Sequence, residues 1–162
     1  MSMEAFMVAD AGVKQEVLKL VPQQAPFRFI DEIISLDEQQ IVGAYRFRED
    51  EFFYRGHFPG RPITPGVILI ETMGQIGVVA FGMYLLACQK NIRPAQLNGS
   101  LSLFSLADNI EFKGIVFPGE RVIVKGKKIY MRNGALKVDI SMERENGEVV
   151  CVGQLAGMGV DK

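Results

Sequence analysis

Apolar and polar positions change rhythm along this chain at definite points, and each rhythm predicts an element. Val17, Leu18, Leu20 and Val21 fall near helical spacing within residues 13–21, and Pro22 ends the run, so a short amphipathic helix is expected there. Residues 27–35 turn to a β-type pattern. It returns at 41–48, where Ile41, Tyr45 and Phe47 share one face and Arg46 and Arg48 the other. Residues 37–40 are then a hairpin turn. The stretch 65–87 is apolar nearly all round, so it predicts a buried helix. Thr64 is expected to cap its free amides, and Pro65 suits the first helical position. Gly74, Gly77 and Gly82 each cost about 1 kcal/mol relative to alanine inside a helix, which makes sense if another backbone packs close.

After a polar break at 91–99, strand patterns run to the end. Leu136, Val138, Ile140 and Met142 alternate with Lys137, Asp139, Ser141 and Glu143, the mark of a half-buried antiparallel strand. Asn133-Gly134 and Asn146-Gly147 at its two ends are hairpin signals. Together these elements predict an α+β fold, a curved antiparallel sheet wrapped around one long helix. No repeat or linker divides the chain, so residues 1–162 are read as one domain, with 1–12 a poorly ordered tail. The competing reading of 65–87 is a membrane span, since about 20 apolar residues suffice to cross a bilayer. Against it, Glu71 would cost about 2.5 to 3.5 kcal/mol near the bilayer centre, and cationic or aromatic anchors do not flank both ends.

Composition narrows the function. A chain with 48% hydrophobic and 23% charged residues has enough apolar surface for a full core. Eighteen basic against nineteen acidic side chains leave a net charge of −1, so no global field favours nucleic acid or an anionic membrane. Cys88 and Cys151 lie far apart in apolar runs and read as reduced core residues. With one histidine in the chain there is no metal-ligand set, and no glycine-rich phosphate loop points to a nucleotide. No cofactor is expected. Residues 1–12 lack a basic secretory n-region, and a cytoplasmic location follows by default.

Chemistry concentrates in two places. His57 stands on a loop restricted by Gly56, Pro59, Gly60, Pro62 and Pro65, which would fix its position. Glu71 is the one charge in the apolar helix, where desolvation raises a carboxyl pKa and favours its neutral form. Gln75, four residues on, shares its face and can orient it. Gly66 offers an amide of the first helical turn, unpaired within the helix and able to polarise a carbonyl oxygen. An imidazole base, a protonated carboxyl and an oxyanion donor meet the needs of β-elimination from a thioester.

At these residues the chain resembles the β-hydroxyacyl-[acyl-carrier-protein] dehydratases of the FabZ and FabA type. The likeness runs through Phe52-Phe53-Tyr54-Arg55-Gly56-His57-Phe58-Pro59-Gly60-Arg61-Pro62 and Pro65-Gly66-Val67-Ile68-Leu69-Ile70-Glu71-Thr72-Met73-Gly74-Gln75. It returns at Phe112-Lys113 and Pro118-Gly119-Glu120, and Pro26-Phe27-Arg28-Phe29-Ile30-Asp31 looks like the family's first strand. The resemblance implies a hotdog fold, His57 and Glu71 as the catalytic pair, and Gly66 as amide donor to the thioester carbonyl. Gln75, Phe58 and Phe104 join Gly66 as implied substrate-binding residues. Glutamate at 71 looks like the FabZ branch, since the FabA branch usually has aspartate there. The family's histidine and acid come from different subunits, which implies a homodimer, with a trimer of dimers common in that branch. The implied partner is an acidic acyl carrier protein with a phosphopantetheine-linked chain, for which Arg55, Arg61, Arg93 and Lys113 are candidate docking cations.

Three departures stand out. Pro22-Gln23 replaces the family's usual Pro-His, Leu103-Phe104 its frequent Tyr-Phe, and Gly114-Ile115 its common Arg-Pro after Phe112-Lys113. The expected activity is dehydration of a 3-hydroxyacyl thioester to the trans-2-enoyl product in fatty acid or related acyl-chain synthesis. Acyl thioester hydrolysis and a non-catalytic acyl-thioester-binding subunit are the alternatives.

Overall fold

The computed structural model describes residues 8–98 and 100–161. Helix α1 (Ala11–Leu20) starts two residues before the expected segment, because Asp10 Oδ1 accepts from Val13 N at 2.8 Å and caps it. Its C-terminal carbonyls are held by Arg28, whose guanidinium donates to Leu18 O, Val21 O and Gln23 O at 2.8–3.1 Å. Ala9 N donates to Leu36 O at 2.8 Å, so residues 9–12 belong to the fold rather than to a loose tail; residues 1–7 lie outside the described set.

Strands β1 (Glu32–Leu36) and β2 (Gln40–Arg46) form the first hairpin. Asp37 makes its turn by accepting from Gln39 N and Gln40 N. As the alternation required, Ile41, Tyr45 and Phe47 are buried while Arg46 and Arg48 are exposed. Residues 27–31 are not strand, a correction whose cause lies in the site described below.

The apolar stretch is one continuous helix in three parts: α2 (Gly66–Gly74), a π-helical segment (Gln75–Ala80) and α3 (Phe81–Lys90), stopped by Asn91 in the left-handed conformation at φ 53°. Thr64 does not cap it. Its hydroxyl pairs with Tyr54 Oη at 2.7 Å, and Pro65 occupies the cap position. Strands β3 (Ser100–Phe112), β4 (Arg121–Arg132), β5 (Ala135–Arg144) and β6 (Val149–Asp161) complete a six-stranded antiparallel sheet of order β1-β2-β4-β5-β6-β3. Asn133 and Gly134, both at positive φ, make the tight β4–β5 turn; the β5–β6 connection is longer, with Gly147 at φ 90°. The span Gly66–Lys90 is apolar and long enough to cross a membrane by composition, but the sheet wraps it and buries most of it.

The helix glycines explain how closely the sheet approaches. A Cβ on Gly77 would stand 2.2 Å from Ile140 Cδ1, and one on Gly126 of β4 3.3 Å from Gly77 Cα. Gly77→Ala should therefore overpack the core and cost about 1 to 3 kcal/mol, read from the midpoint of urea unfolding.

The loop that carries His57 is tied to the core by a buried carboxyl. Tyr45 Oη donates to Glu51 Oε2 at 2.7 Å, and Arg48 lies 3.4 Å from Glu51 Oε1. Burial raises the Glu51 pKa, and the tyrosine hydrogen bond and Arg48 act against that rise. Tyr45→Phe leaves the buried carboxyl short of a donor and should cost about 1 to 3 kcal/mol, measured in the same way.

Candidate active site

His57 sits in a loop braced by its own backbone. His57 N donates to Phe53 O at 3.1 Å, and Ile63 N donates to His57 O at 2.9 Å. Its Nδ1 lies 2.8 Å from Ile63 O; a carbonyl oxygen can only accept, so Nδ1 carries a hydrogen, and this contact selects the tautomer whose lone pair is on Nε2. Phe58 stacks on the imidazole with centroids 4.2 Å apart. That is the geometry of a base with its tautomer set and its outer nitrogen free.

Glu71 lies on α2 and lines a cavity of about 180 Å³ with Gln23, Gly74, Val78, Ser102 and Phe104 among its neighbours. Desolvation raises its pKa, opposed by the hydrogen bond from Gln75. Gln75 is fully buried and its polar atoms are all engaged. Its Oε1 accepts from Phe29 N at 2.6 Å, and its Nε2 donates to Phe27 O at 2.9 Å and to Glu71 Oε1 at 3.0 Å. The amide thus joins the site by fixing Glu71. It also takes the backbone groups of Phe27 and Phe29 that a strand would have used, which is why β1 begins only at Glu32.

Phe104 reaches the cavity through a glycine. A Cβ on Gly74 would meet the Phe104 ring at 2.2 Å, so the absent side chain makes the ring's place. Gly66 opens α2 under the ring of Phe112, which lies 2.9 Å from where a Cβ would stand, so only glycine leaves room for the ring. A second pocket adjoins the cavity through Val78, Val79 and Ser102 and continues between Met83, Leu86 and Leu136. A more voluminous depression, about 520 Å³, lies elsewhere, on the solvent side of the sheet around Lys125, Lys127 and Asp139. It contains none of the residues singled out for chemistry.

A single chain does not assemble every expected group. His57 is absent from the lining of the Glu71 cavity, and no hydrogen bond joins the two side chains. Of the expected docking cations, Arg55 and Arg61 are exposed on the histidine loop, whereas Arg93 pairs with Glu16 at 3.1 Å and Lys113 with Glu111 at 3.4 Å. Sequence reasoning gave no role to Gln23 or Ser102, which line the cavity from segments far from α2. The one available sign was that residue 23 departs from the family pattern.

The model of the FabA-like domain matches residues 21–153, which span the histidine loop, the helix and nearly the whole sheet. The chain belongs to the FabA-like family. Among its curated relatives, a 3-hydroxyacyl-[acyl-carrier-protein] dehydratase FabZ of Saccharophagus degradans is 36% identical over 126 residues, 76% of this chain and 81% of the relative. Another FabZ, from Caldicellulosiruptor saccharolyticus, is 32% identical over 142 residues, 86% of this chain and 92% of the relative. Among solved structures, the dehydratase heterocomplex ApeI:P from Xenorhabdus doucetiae superposes with a TM-score of 0.72 at 13% identity, covering 90% of this chain and 91% of that one. A Streptococcus pneumoniae protein described as a hypothetical thioesterase with coenzyme A gives 0.56 at 13% identity, covering 81% and 86%. At such identities the structural likeness speaks for the hotdog fold alone, which this family member has.

Proposed function

We infer that this FabA-like protein is a 3-hydroxyacyl-[acyl-carrier-protein] dehydratase, a hydro-lyase of fatty acid or related acyl-chain synthesis. The observation that carries the reading is Glu71: a carboxyl held by Gln75 in a cavity whose desolvation favours the neutral, proton-donating form. Family membership and the FabZ relatives point to the same activity.

The reaction needs two protons to move. His57 Nε2 removes the α-proton of the thioester while the Gly66 amide stabilises the enolate-like oxygen, a contribution of about 3 kcal/mol for one such donor. Glu71 then protonates the departing β-hydroxyl, and the products are the trans-2-enoyl thioester and water. Exchange of the proton on His57 for the one lost by Glu71 restores the starting state. The apolar pocket beyond Val78 and Val79 suits the acyl chain.

The catalytic pair is shared between two copies of the chain. This reading is supported by the separation of His57 from the Glu71 cavity and by β3, an edge strand that exposes Leu101, Leu103, Phe104 and Leu106. A long apolar edge invites strand pairing with a second copy, and Leu103 and Phe104 line the cavity that such a copy would close. Trimers of these dimers fit the same scheme. Arg55 and Arg61, exposed on the histidine loop, are the cations proposed to receive the acidic carrier. The two cysteines, free among the described residues, suit a reducing cytoplasm.

Hydrolysis of acyl thioesters is the weaker reading, because it requires an ionised carboxylate to activate water and burial of Glu71 opposes ionisation. The experiment is incubation with a 3-hydroxyacyl chain on its carrier and mass analysis of the carrier. Loss of one water supports dehydration; release of free carrier thiol would replace it with hydrolysis.

A further inference from the structure

The histidine loop is closed at its base by two side chains. Of residues 54–64 only the first and the last, Tyr54 and Thr64, are buried, and their hydroxyls share a hydrogen bond of 2.7 Å. Thr64 is itself pinned, since its backbone N–H donates to Val116 O at 2.9 Å. Burial pushes the pKa of the Tyr54 hydroxyl up to about 12, against the pull of the Thr64 hydrogen bond, so the group keeps its hydrogen wherever an imidazole acts as a base. The link therefore persists across that pH range.

The two residues stand on opposite arms of the loop, and each arm holds one half of the contact that sets the base. Tyr54 lies three residues before His57. Thr64 follows Ile63, whose carbonyl oxygen is 2.8 Å from His57 Nδ1. Nearer the exposed tip the arms are also joined by Ile63 N, which donates to His57 O at 2.9 Å, but both residues are only half-buried there and water can compete. A hydrogen bond enclosed in protein is stronger than one that water can reach, and the hydroxyl pair at the base is the enclosed one. We propose that Tyr54 is a positioning residue for the base: its hydroxyl, through Thr64, holds the Ile63 carbonyl against His57 Nδ1 and so keeps the lone pair of the neutral ring on Nε2.

This role rests on the dehydratase reading for the reaction that His57 serves, whereas the tautomer belongs to the protein without substrate. The two can be measured apart. The chain has a single histidine, so untagged full-length protein isotopically labelled at histidine nitrogen gives NMR signals from His57 alone. At a pH where the ring is neutral, the wild type should carry its hydrogen on Nδ1.

Tyr54→Phe keeps the aromatic ring and removes the hydroxyl. In that variant the hydrogen should spread over Nδ1 and Nε2, and kcat for a 3-hydroxyacyl chain on its carrier should fall about 10- to 100-fold while KM stays within about twofold. Thr64→Val should reproduce both changes, and the double variant should be no worse than either single one, because the same link is lost in all three. Thr64→Ser, which returns the hydroxyl, should recover most of what Thr64→Val loses; this pair carries the test if Tyr54→Phe does not fold. A link that only holds the fold together would lower the unfolding midpoint and leave the tautomer and kcat of the folded variants as in the wild type. That result, or a wild-type ring with its hydrogen on Nε2, overturns the proposal. A wild-type protein with its hydrogen on Nδ1, a tautomer that shifts in Tyr54→Phe, and no loss of water from the substrate would sink the dehydratase reading and leave the positioning role of Tyr54 standing.

Discussion

Mixing His57→Ala protomers with Glu71→Ala protomers should restore activity that neither variant has alone. Each single variant is expected to lose about 10² to 10⁴ of wild-type turnover, the usual worth of a positioned acid or base. If one chain supplies the imidazole and its partner the carboxyl, a mixed dimer contains one site lacking both groups and one intact site. Random reassociation makes half of the dimers mixed, so about a quarter of the wild-type sites return in a two-fold symmetric assembly. The measurement is turnover after the two variants are unfolded and refolded together, against each refolded alone. No recovery would mean that the two groups act from one chain, and the shared-site reading would fail.

Glu71→Gln should separate catalysis from stability. The substitution preserves an oxygen for the Gln75 amide and removes the transferable proton, so turnover should drop by about 10² to 10⁴. Stability should move the other way. The Glu71 pKa is raised above the ordinary 4.5 by desolvation, so the folded state holds a proton that the unfolded state releases. The wild-type protein therefore has its full share of stability from this group below pH 4.5 and loses it as pH rises through the folded-state value. Glutamine does not titrate. The variant should be the more stable protein at neutral and alkaline pH, with the difference in unfolding midpoint closing as pH falls toward 4.5. In the wild type the same titration should appear as a decline of kcat on the alkaline side, because only the protonated carboxyl can act as acid. A kcat that rises through that range would show the ionised form at work.

Much of this molecule could be read from periodicity because the local and tertiary demands agree. The alternation of Leu136, Val138, Ile140 and Met142 is the alternation of β5, and the all-round apolar helix is enclosed by sheet. The misreadings occur where a side chain takes a backbone's partner. Residues 27–31 have strand-like residues, but the Gln75 amide claims Phe27 O and Phe29 N across 48 and 46 residues, and no local pattern contains that bond. Thr64 has the chemistry of a cap, yet Tyr54 takes its hydroxyl. The π-helical turn at Gln75–Ala80 was also invisible, since its residues suit an ordinary helix equally well. For the site, residue type and family likeness singled out His57, Glu71, Gly66 and Gln75, and the structure joins two of them, Gln75 to Glu71. They gave no place to Gln23 or Ser102, because a cavity wall built from segments distant in sequence leaves no local pattern.

The tether between Gln75 and the segment before β1 makes the setting of the Glu71 carboxyl depend on a distant part of the chain. Displacing the backbone at Phe27 or Phe29 would release the amide, and with it the orientation of the carboxyl four residues upstream on the helix. Natural variation or engineering in this amino-terminal lead can therefore retune acid strength without altering any atom of the helix itself.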